Sequence, residues 1–334
     1  MSIRSLLFLI ATVSSLSLLP LQAAEFTIDE EADGIAIKID GTLFTKYVTG
    51  DSTSSKPYFY PVIGPTGKEM TRAYPMKDVD GEAKDHPHQR SFYFGHQFVN
   101  DFDTWHEKLT LVERAKGDEA KLAEMMKTLG GTIHTKVIKA EASGDRAVLS
   151  VASDYVDSSG GRMMEDVRIF TFHLGAKGER IVDVEIVFTP VGESVRFADA
   201  KDAGLSLRVA HSMSVDAKEG GRIATSTGHE DKDAWGKRAD WCDFNGPVGG
   251  EKLGIAVLNH PSSFRYPTPW HARGYGLLTA NPFGLKSVAG EEKDGEVILK
   301  KGEKLTLKHR VIFHAGDEKD ANIAGAWKAY AAEK

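Results

Sequence analysis

The stretch 85–107 reads DHPHQRSFYFGHQFVNDFDTWHE and carries His86, His88, His96 and His106, four of the chain's 12 histidines. Arg90, Asn100 and Trp105 lie among them. An imidazole titrates near neutrality, at about 6.5 when unperturbed, so it suits the giving and taking of protons. Pro87 disfavours helix at His86 and fixes its own backbone angle, which predicts extended chain across the histidine pair. Side chains two apart in extended chain point the same way. His86, His88, Arg90, Phe92, Phe94 and His96 are therefore expected on one side of a strand, facing one cleft. Imidazole and guanidinium heads removed from water each need a partner, and three in succession favour a site over a core.

A metal centre is the other chemistry this spacing allows. An HxH pair with a third histidine can hold a divalent transition metal; His86, His88 and His106 would be its ligands, with Glu107 beside them. The spacing fixes no carboxylate partner, so no metal or other cofactor is expected. A second polar and aromatic stretch, NHPSSFRYPTPWHARGYGLLTANPFG at 259–284, gathers His260, Arg265, Trp270, His271, Arg273, Tyr275 and Asn281. Its prolines predict a long ordered loop rather than a strand, and such loops on a rigid scaffold are where binding concentrates. Rings there can stack on the apolar face of a sugar, while Asn, Arg and His take its hydroxyls. Single candidates lie elsewhere. They are His134 in GGTIHTK, Glu165 and Asp166 in MMEDVRIF, and Arg208 and His211 in LSLRVAHSM. The last two fall on opposite faces of a regular strand, so at most one serves the same cleft.

The elements that must position these groups are mostly strands. Hydropathy alternates with period two in GIAIKID, RIVDVEIVF and KLTLKHRVIFH, separated by turns such as SSGG, GAKGE and KEGG. This predicts a mainly β protein, a large antiparallel β-sandwich. Two short helices are expected to cover it. One is DEAKLAEMMKTLGG, with the stripe Leu122, Met125, Met126 and Leu129; the other is C-terminal, with Ile323, Ala326, Trp327 and Tyr330. Residues 1–24, MSIRSLLFLIATVSSLSLLPLQAA, have the early cation, short apolar run and small-residue end of a secretory signal, which predicts a periplasmic or secreted protein. Residues 25–334 are expected to form a single domain. No later window is apolar enough to cross a bilayer, so the mature protein is not expected to be an integral membrane protein. The formal net charge of −6 gives no footprint for nucleic acid, and the lone Cys242 rules out an internal disulfide.

The same motifs carry a resemblance. DHPHQRSFYFGHQFVNDFDTWHE, GTIHTK, MMEDVRIFTF and PTPWHARGYGLLTANPFG, spread over nearly the whole mature chain, resemble the family of exported bacterial proteins labelled methane oxygenase PmoA. Where that family carries HPHHR this chain has HPHQR, so Gln89 stands in place of a third adjacent histidine. The resemblance implies a galactose-mutarotase-like supersandwich with carbohydrate bound on a concave face by His, Arg and acidic side chains. A chain without a spanning segment after its leader cannot be the membrane subunit which the label names.

On this reading the protein is a periplasmic carbohydrate-active enzyme whose ligand is a small molecule or oligosaccharide. His86, His88, His106, His134 and His271 would move protons. Arg90, His96, Asn100, Trp105, Glu165, Arg208, His260, Trp270, Arg273, Tyr275 and Asn281 would hold the ligand. The reaction would be epimerisation, elimination or hydrolysis, and the motifs lack the paired carboxylates of an ordinary glycosidase. Two alternatives stay open: a non-catalytic carbohydrate-binding protein using the same cleft, and a metal-dependent oxidoreductase in the sense of the family label.

Overall fold

The computed structural model describes residues 24–51 and 53–333, so the expected leader lies outside it except for Ala24. The described chain opens with five strands that pair in sequence order: β1 (Phe26–Glu31), β2 (Gly34–Ile39), β3 (Thr42–Val48), β4 (Tyr58–Val62) and β5 (Phe92–His96). Helices α1 (Lys108–Ala115) and α2 (Glu119–Met126) then lead into a meander of long strands. These are β6 (Gly131–Ser143), β7 (Arg146–Val156), β8 (Arg162–Leu174) and β9 (Arg180–Pro190). Next come β10 (Ser194–Phe197), β11 (Ala203–Arg208), β12 (Arg222–Thr225), β13 (Trp241–Val248) and β14 (Glu251–Asn259). The chain closes with β15 (Trp270–Arg273), β16 (Leu277–Ala280), β17 (Val297–Lys300), β18 (Leu305–Ala315) and α3 (Ile323–Ala331).

Two eight-stranded antiparallel sheets result. The first runs β1-β2-β3-β4-β5-β11-β16-β15 and the second β12-β13-β14-β18-β9-β8-β7-β6, while β10 and β17 form a separate ribbon. The protein is mainly β, a large antiparallel sandwich, and the alternation explains why. In β9, Val182, Val184, Ile186 and Phe188 are buried, whereas Asp183 and Glu185 between them are only half-buried. The inward rings of the two sheets meet edge to face: Phe59 on Phe170 with centroids 4.7 Å apart, and Phe44 on Phe172 at 6.0 Å. Each such pair adds about 0.5–1.5 kcal/mol beyond the area it buries.

The helices divide differently from expectation. α3 buries Ile323 and Tyr330 on the outer face of the second sheet, against Ile181, Ala256, Leu258 and Ile312. α2 buries none of its residues, so its methionine stripe does not cover a sheet. The neighbouring α1 does bury Thr110, Leu111 and Ala115. No helix among the described residues is long and apolar enough to cross a membrane. Cys242 is buried in the main core, and burial pushes its thiol well up.

One feature of the second sheet's outer face makes stability depend on pH. His314 Nε2 lies 2.7 Å from Asp243 Oδ2, both side chains fully buried, and Nδ1 faces the Ala315 carbonyl at 3.2 Å. Both ring nitrogens thus meet acceptors, which the imidazolium satisfies by donating from each. Burial opposes that charge, but Asp243 outweighs it and raises the pKa above the ordinary value. A raised folded-state pKa stabilises fully below the unfolded value, about 6.5, and the gain fades as pH climbs through the folded value. His314→Gln is therefore expected to lose about 3 kcal/mol at pH 6 in urea unfolding, a gap that narrows above pH 7. A constant gap between pH 6 and about 9 would contradict the charge assignment.

Candidate functional site

The site is built on the face of the first sheet that points away from the core. Phe92, Phe94, Leu205 and Leu207 fill the core. Period-two alternation then turns Tyr93, Ser206 and Arg208 outward. The register places Tyr58, Tyr93, Ser206, Thr279 and His271 in one row across β4, β5, β11, β16 and β15. All five are buried or nearly so, because other segments roof this face.

The first roof is the histidine motif, and it is not the extended chain that Pro87 suggested. His86 has φ +43° and Ser91 φ +45°, and the Gln89 N–H donates to the His86 carbonyl at 2.9 Å. The motif is a turn, and regular alternation begins only at Phe92. Arginines impose it. Arg72 Nη1 donates to the Ala83 and Asp85 carbonyls at 3.1 and 2.8 Å, and its Nη2 to the His86 carbonyl at 3.0 Å. Arg208, from β11, donates to Gln89 Oε1 at 2.5 Å and to Asp85 Oδ1 at 2.7 Å. Arg72 reaches the same Asp85 oxygen at 2.5 Å. Burial works against the Asp85 charge, yet His86, Arg208 and Arg72 hold its carboxyl well below the usual range. Arg208 itself is brought down to about 10 by burial and then by Arg72 beside it.

Within the turn, His88 sits at the centre of a ring cluster. Its centroid lies 4.5 Å from His106, 5.8 Å from His86 and 6.3 Å from Trp105. Its Nδ1 is 2.9 Å from the Thr110 hydroxyl of α1, and among the described residues nothing bonds Nε2. Burial, reinforced by His106, Lys56, His86 and Arg114, holds His88 well below its ordinary pKa, so it is neutral at physiological pH. His106 has a fixed tautomer. Arg114 Nη2, which can only donate, lies 2.9 Å from Nε2, so Nδ1 carries the proton that bonds Asp103 Oδ2 at 2.7 Å. Trp105 packs on Tyr93 at 5.3 Å, and Gly95 makes room for it, since a Cβ there would meet the indole at 2.9 Å. Trp105 Nε1 and Tyr93 Oη are buried with no hydrogen-bond partner among the described residues.

The second roof is the downstream motif, which is not a loop throughout. β15 and β16 form a hairpin, and Tyr275 stands in its turn. There the two motifs meet: the His86 ring stacks on Tyr275 at 4.9 Å and 10°, and Gln89 Nε2 lies 3.4 Å from its hydroxyl. The Arg208 guanidinium covers the same ring at 4.6 Å. Arg273 lies 5.6 Å from Tyr275 and 4.9 Å from Trp235. His271 touches Trp235 edge-on at 4.7 Å and gives its Nδ1 proton to the Lys201 carbonyl at 2.6 Å. Burial holds His271 down to about 4, so it too is neutral. An open groove lined by Asp216, Asp231, Lys232, Trp235, Arg273 and Tyr275 leads up to this point.

The cluster therefore brings together His86, His88, His106, Trp105, Arg208, Tyr275, Arg273 and, through Trp235, His271. Other candidates lie apart from it. Arg90 is consumed by Glu107 at 2.9 Å, Asp51 at 3.2 Å and Thr53 at 2.9 Å. His96 faces the core between Phe197 and Phe283, where burial lowers it to about 3. Asn100 holds the Arg196 N–H in a turn, and Asn281 ties the Ala200 and Lys201 carbonyls to the Phe283 and Gly284 amides. Trp270 is core, with its indole N–H on the Ala239 carbonyl. His260 is bound to Ser262 and the Glu333 carbonyl beneath α3. His134 lies against Tyr47 on β6, and Glu165 is on β8 near Arg162; both belong to the second sheet. Arg72, Asp85, Asp103, Arg114 and Trp235 were not read from the sequence. Asp85 heads the quoted motif, but nothing local marks its two arginine partners.

The donor set does not suit a metal held by His86, His88 and His106. Both nitrogens of His106 are already engaged, and among the described residues no group of three or more His, Cys, Asp or Glu side chains is placed to hold an ion.

None of the curated proteins matches the chain. Among solved structures it is similar to the GalM/aldose epimerase homologue from C. elegans, at 10% identity over 88% of this chain and 99% of that one, with a TM-score of 0.33. A likeness that low bears on neither fold nor function here. Residues 34–328 match the Family of unknown function (DUF6807), and the chain belongs to that family.

Proposed function

We propose that the cluster roofing the first sheet binds a saccharide and moves a proton on it, with His88 as the neutral base and Arg208 and Arg273 orienting the ligand's oxygens. The meeting of the two motifs at Tyr275 carries this reading. Residues 186 positions apart in sequence, Gln89 and Tyr275, touch across a surface that collects neutral imidazoles, guanidinium groups and orphaned buried donors. The groove that ends at Trp235, Arg273 and Tyr275 is open to a polyhydroxylated ligand, whose oxygens would accept from the guanidinium donors there. A neutral imidazole at neutral pH accepts a proton, as epimerisation or elimination requires, and needs no carboxylate pair. His271, with its Nδ1 proton committed to a carbonyl, has the Nε2 lone pair left for the same work. The expected leader supports action outside the cytoplasm.

Calorimetry with neutral and acidic oligosaccharides tests the reading. Tyr275→Leu removes the ring on which both motifs rest and is expected to weaken binding about tenfold or more, a loss read at a temperature well below the variant's own melting point. Undiminished affinity in that variant would place the ligand elsewhere.

A further inference from the structure

We propose that the ligand is an anionic saccharide, its acidic group held by Arg273 where that guanidinium lies between Trp235 and Tyr275 at the end of the groove. This rests on the saccharide reading above and adds the ligand's charge. Arg273 is exposed, and among the described residues it has neither an acceptor nor an ion-pair partner; two ring contacts, at 4.9 and 5.6 Å, fix its plane instead. A guanidinium already held in place loses little freedom when it binds, and its paired N–H donors match the two oxygens of a carboxylate.

The charges around it point the same way. The groove itself is balanced, with Asp216 and Asp231 against Lys232 and Arg273. Asp216 lies over Gly274, whose Cβ, if present, would sit 2.6 Å from its carboxylate, and Asp231 is occupied by the Ile223 N–H at 2.9 Å. The surplus comes from below. Arg208 and Arg72, both buried, share the single carboxylate Asp85, and Arg208 lies 4.6 Å from the centre of the ring beside Arg273. Asp202, half-buried near Tyr275 and His271, and Glu82, whose carboxylate accepts from the Ala73 N–H beside Arg72, are the acidic groups that offset part of this charge. Two guanidinium groups flank one phenol ring, Arg208 at 4.6 Å and Arg273 at 5.6 Å, and of these only Arg208 has a carboxylate partner among the described residues, so the field at the exposed one favours an anion.

The experiment compares oligogalacturonate and oligoglucuronate with galactose and glucose oligomers of equal length, and adds sulfated oligosaccharides to separate carboxylate from other anions. Titrations with the mature protein are expected to give acidic chains at least about tenfold tighter binding, a preference that shrinks between about 50 and 300 mM salt. Arg273→Gln, a change at an exposed position, is expected to abolish the preference for acidic chains; neutral chains, which also use this guanidinium, are expected to weaken too, but by a smaller factor than the acidic ones. Sulfated chains that bind as well as uronates would support an anion site without carboxylate selectivity. Equal affinity for acidic and neutral chains overturns the anionic assignment alone. A preference that survives Arg273→Gln overturns the role of Arg273, and no binding by any set overturns the saccharide reading with it.

Discussion

Glu107→Gln is expected to lower stability by about 3–5 kcal/mol, the cost of stranding buried charge. Glu107 Oε1 accepts from Lys56 Nζ at 3.0 Å, and both its oxygens accept from Arg90 Nε, at 3.0 and 2.9 Å. The Lys56 and Glu107 side chains are 0% exposed and that of Arg90 1%, so water cannot replace the lost carboxylate. Among the described residues, Asp51, 3.2 Å from Arg90, would remain as the only carboxylate paired with either cation. The damage should reach the site, because Lys56 Nζ also donates to the Trp105 carbonyl at 2.6 Å. Urea unfolding measures the loss, and Lys56→Met in the same background should recover part of it. A loss below about 1 kcal/mol would mean that the network is solvated and that this account of the roof is wrong.

His88→Ala is expected to cost about 10²- to 10⁴-fold in turnover, the range for removing a positioned base. Its pH behaviour separates this role from a merely structural one. His88 is held well below its ordinary value and His271 at about 4, so both are already neutral at pH 6. Activity should be level from about pH 6 to 8 and fall on acidification, as each imidazole takes a proton and ceases to be a base. A rise in activity toward pH 5 would contradict the assignment. If the protein binds without turning over, the same substitution lowers affinity in calorimetry and no product forms with wild type or variant.

Much of the sandwich is legible in the chain. RIVDVEIVF and KLTLKHRVIFH alternate because one side of β9 and β18 faces the core, and that pattern needs only local sequence. The turn at 86–91 is not legible in the same way. Positive φ at His86 and Ser91 is a conformation that non-glycine residues rarely take, and Arg72, in the connection between β4 and β5, and Arg208, on β11, impose it. Arg90 and His96 were aligned with His88 by an alternation that does not begin until Phe92. The hairpin of β15 and β16 was hidden by Pro267 and Pro269, which immediately precede it and read as loop. In α2, the apolar stripe has helical spacing but no apolar surface lying against it, and spacing alone cannot report what lies opposite. The contact of the two motifs at Tyr275 joins segments that no local pattern links.

Asp85 joins a loop to a sheet through two arginines that come from different parts of the chain. Transplanting residues 83–89 into another sandwich would move the histidines but not their geometry, since the shape resides in the partners left behind. Related proteins that keep this shape should keep positions 72, 85 and 208, and a homologue lacking the aspartate should also have replaced at least one of the two arginines.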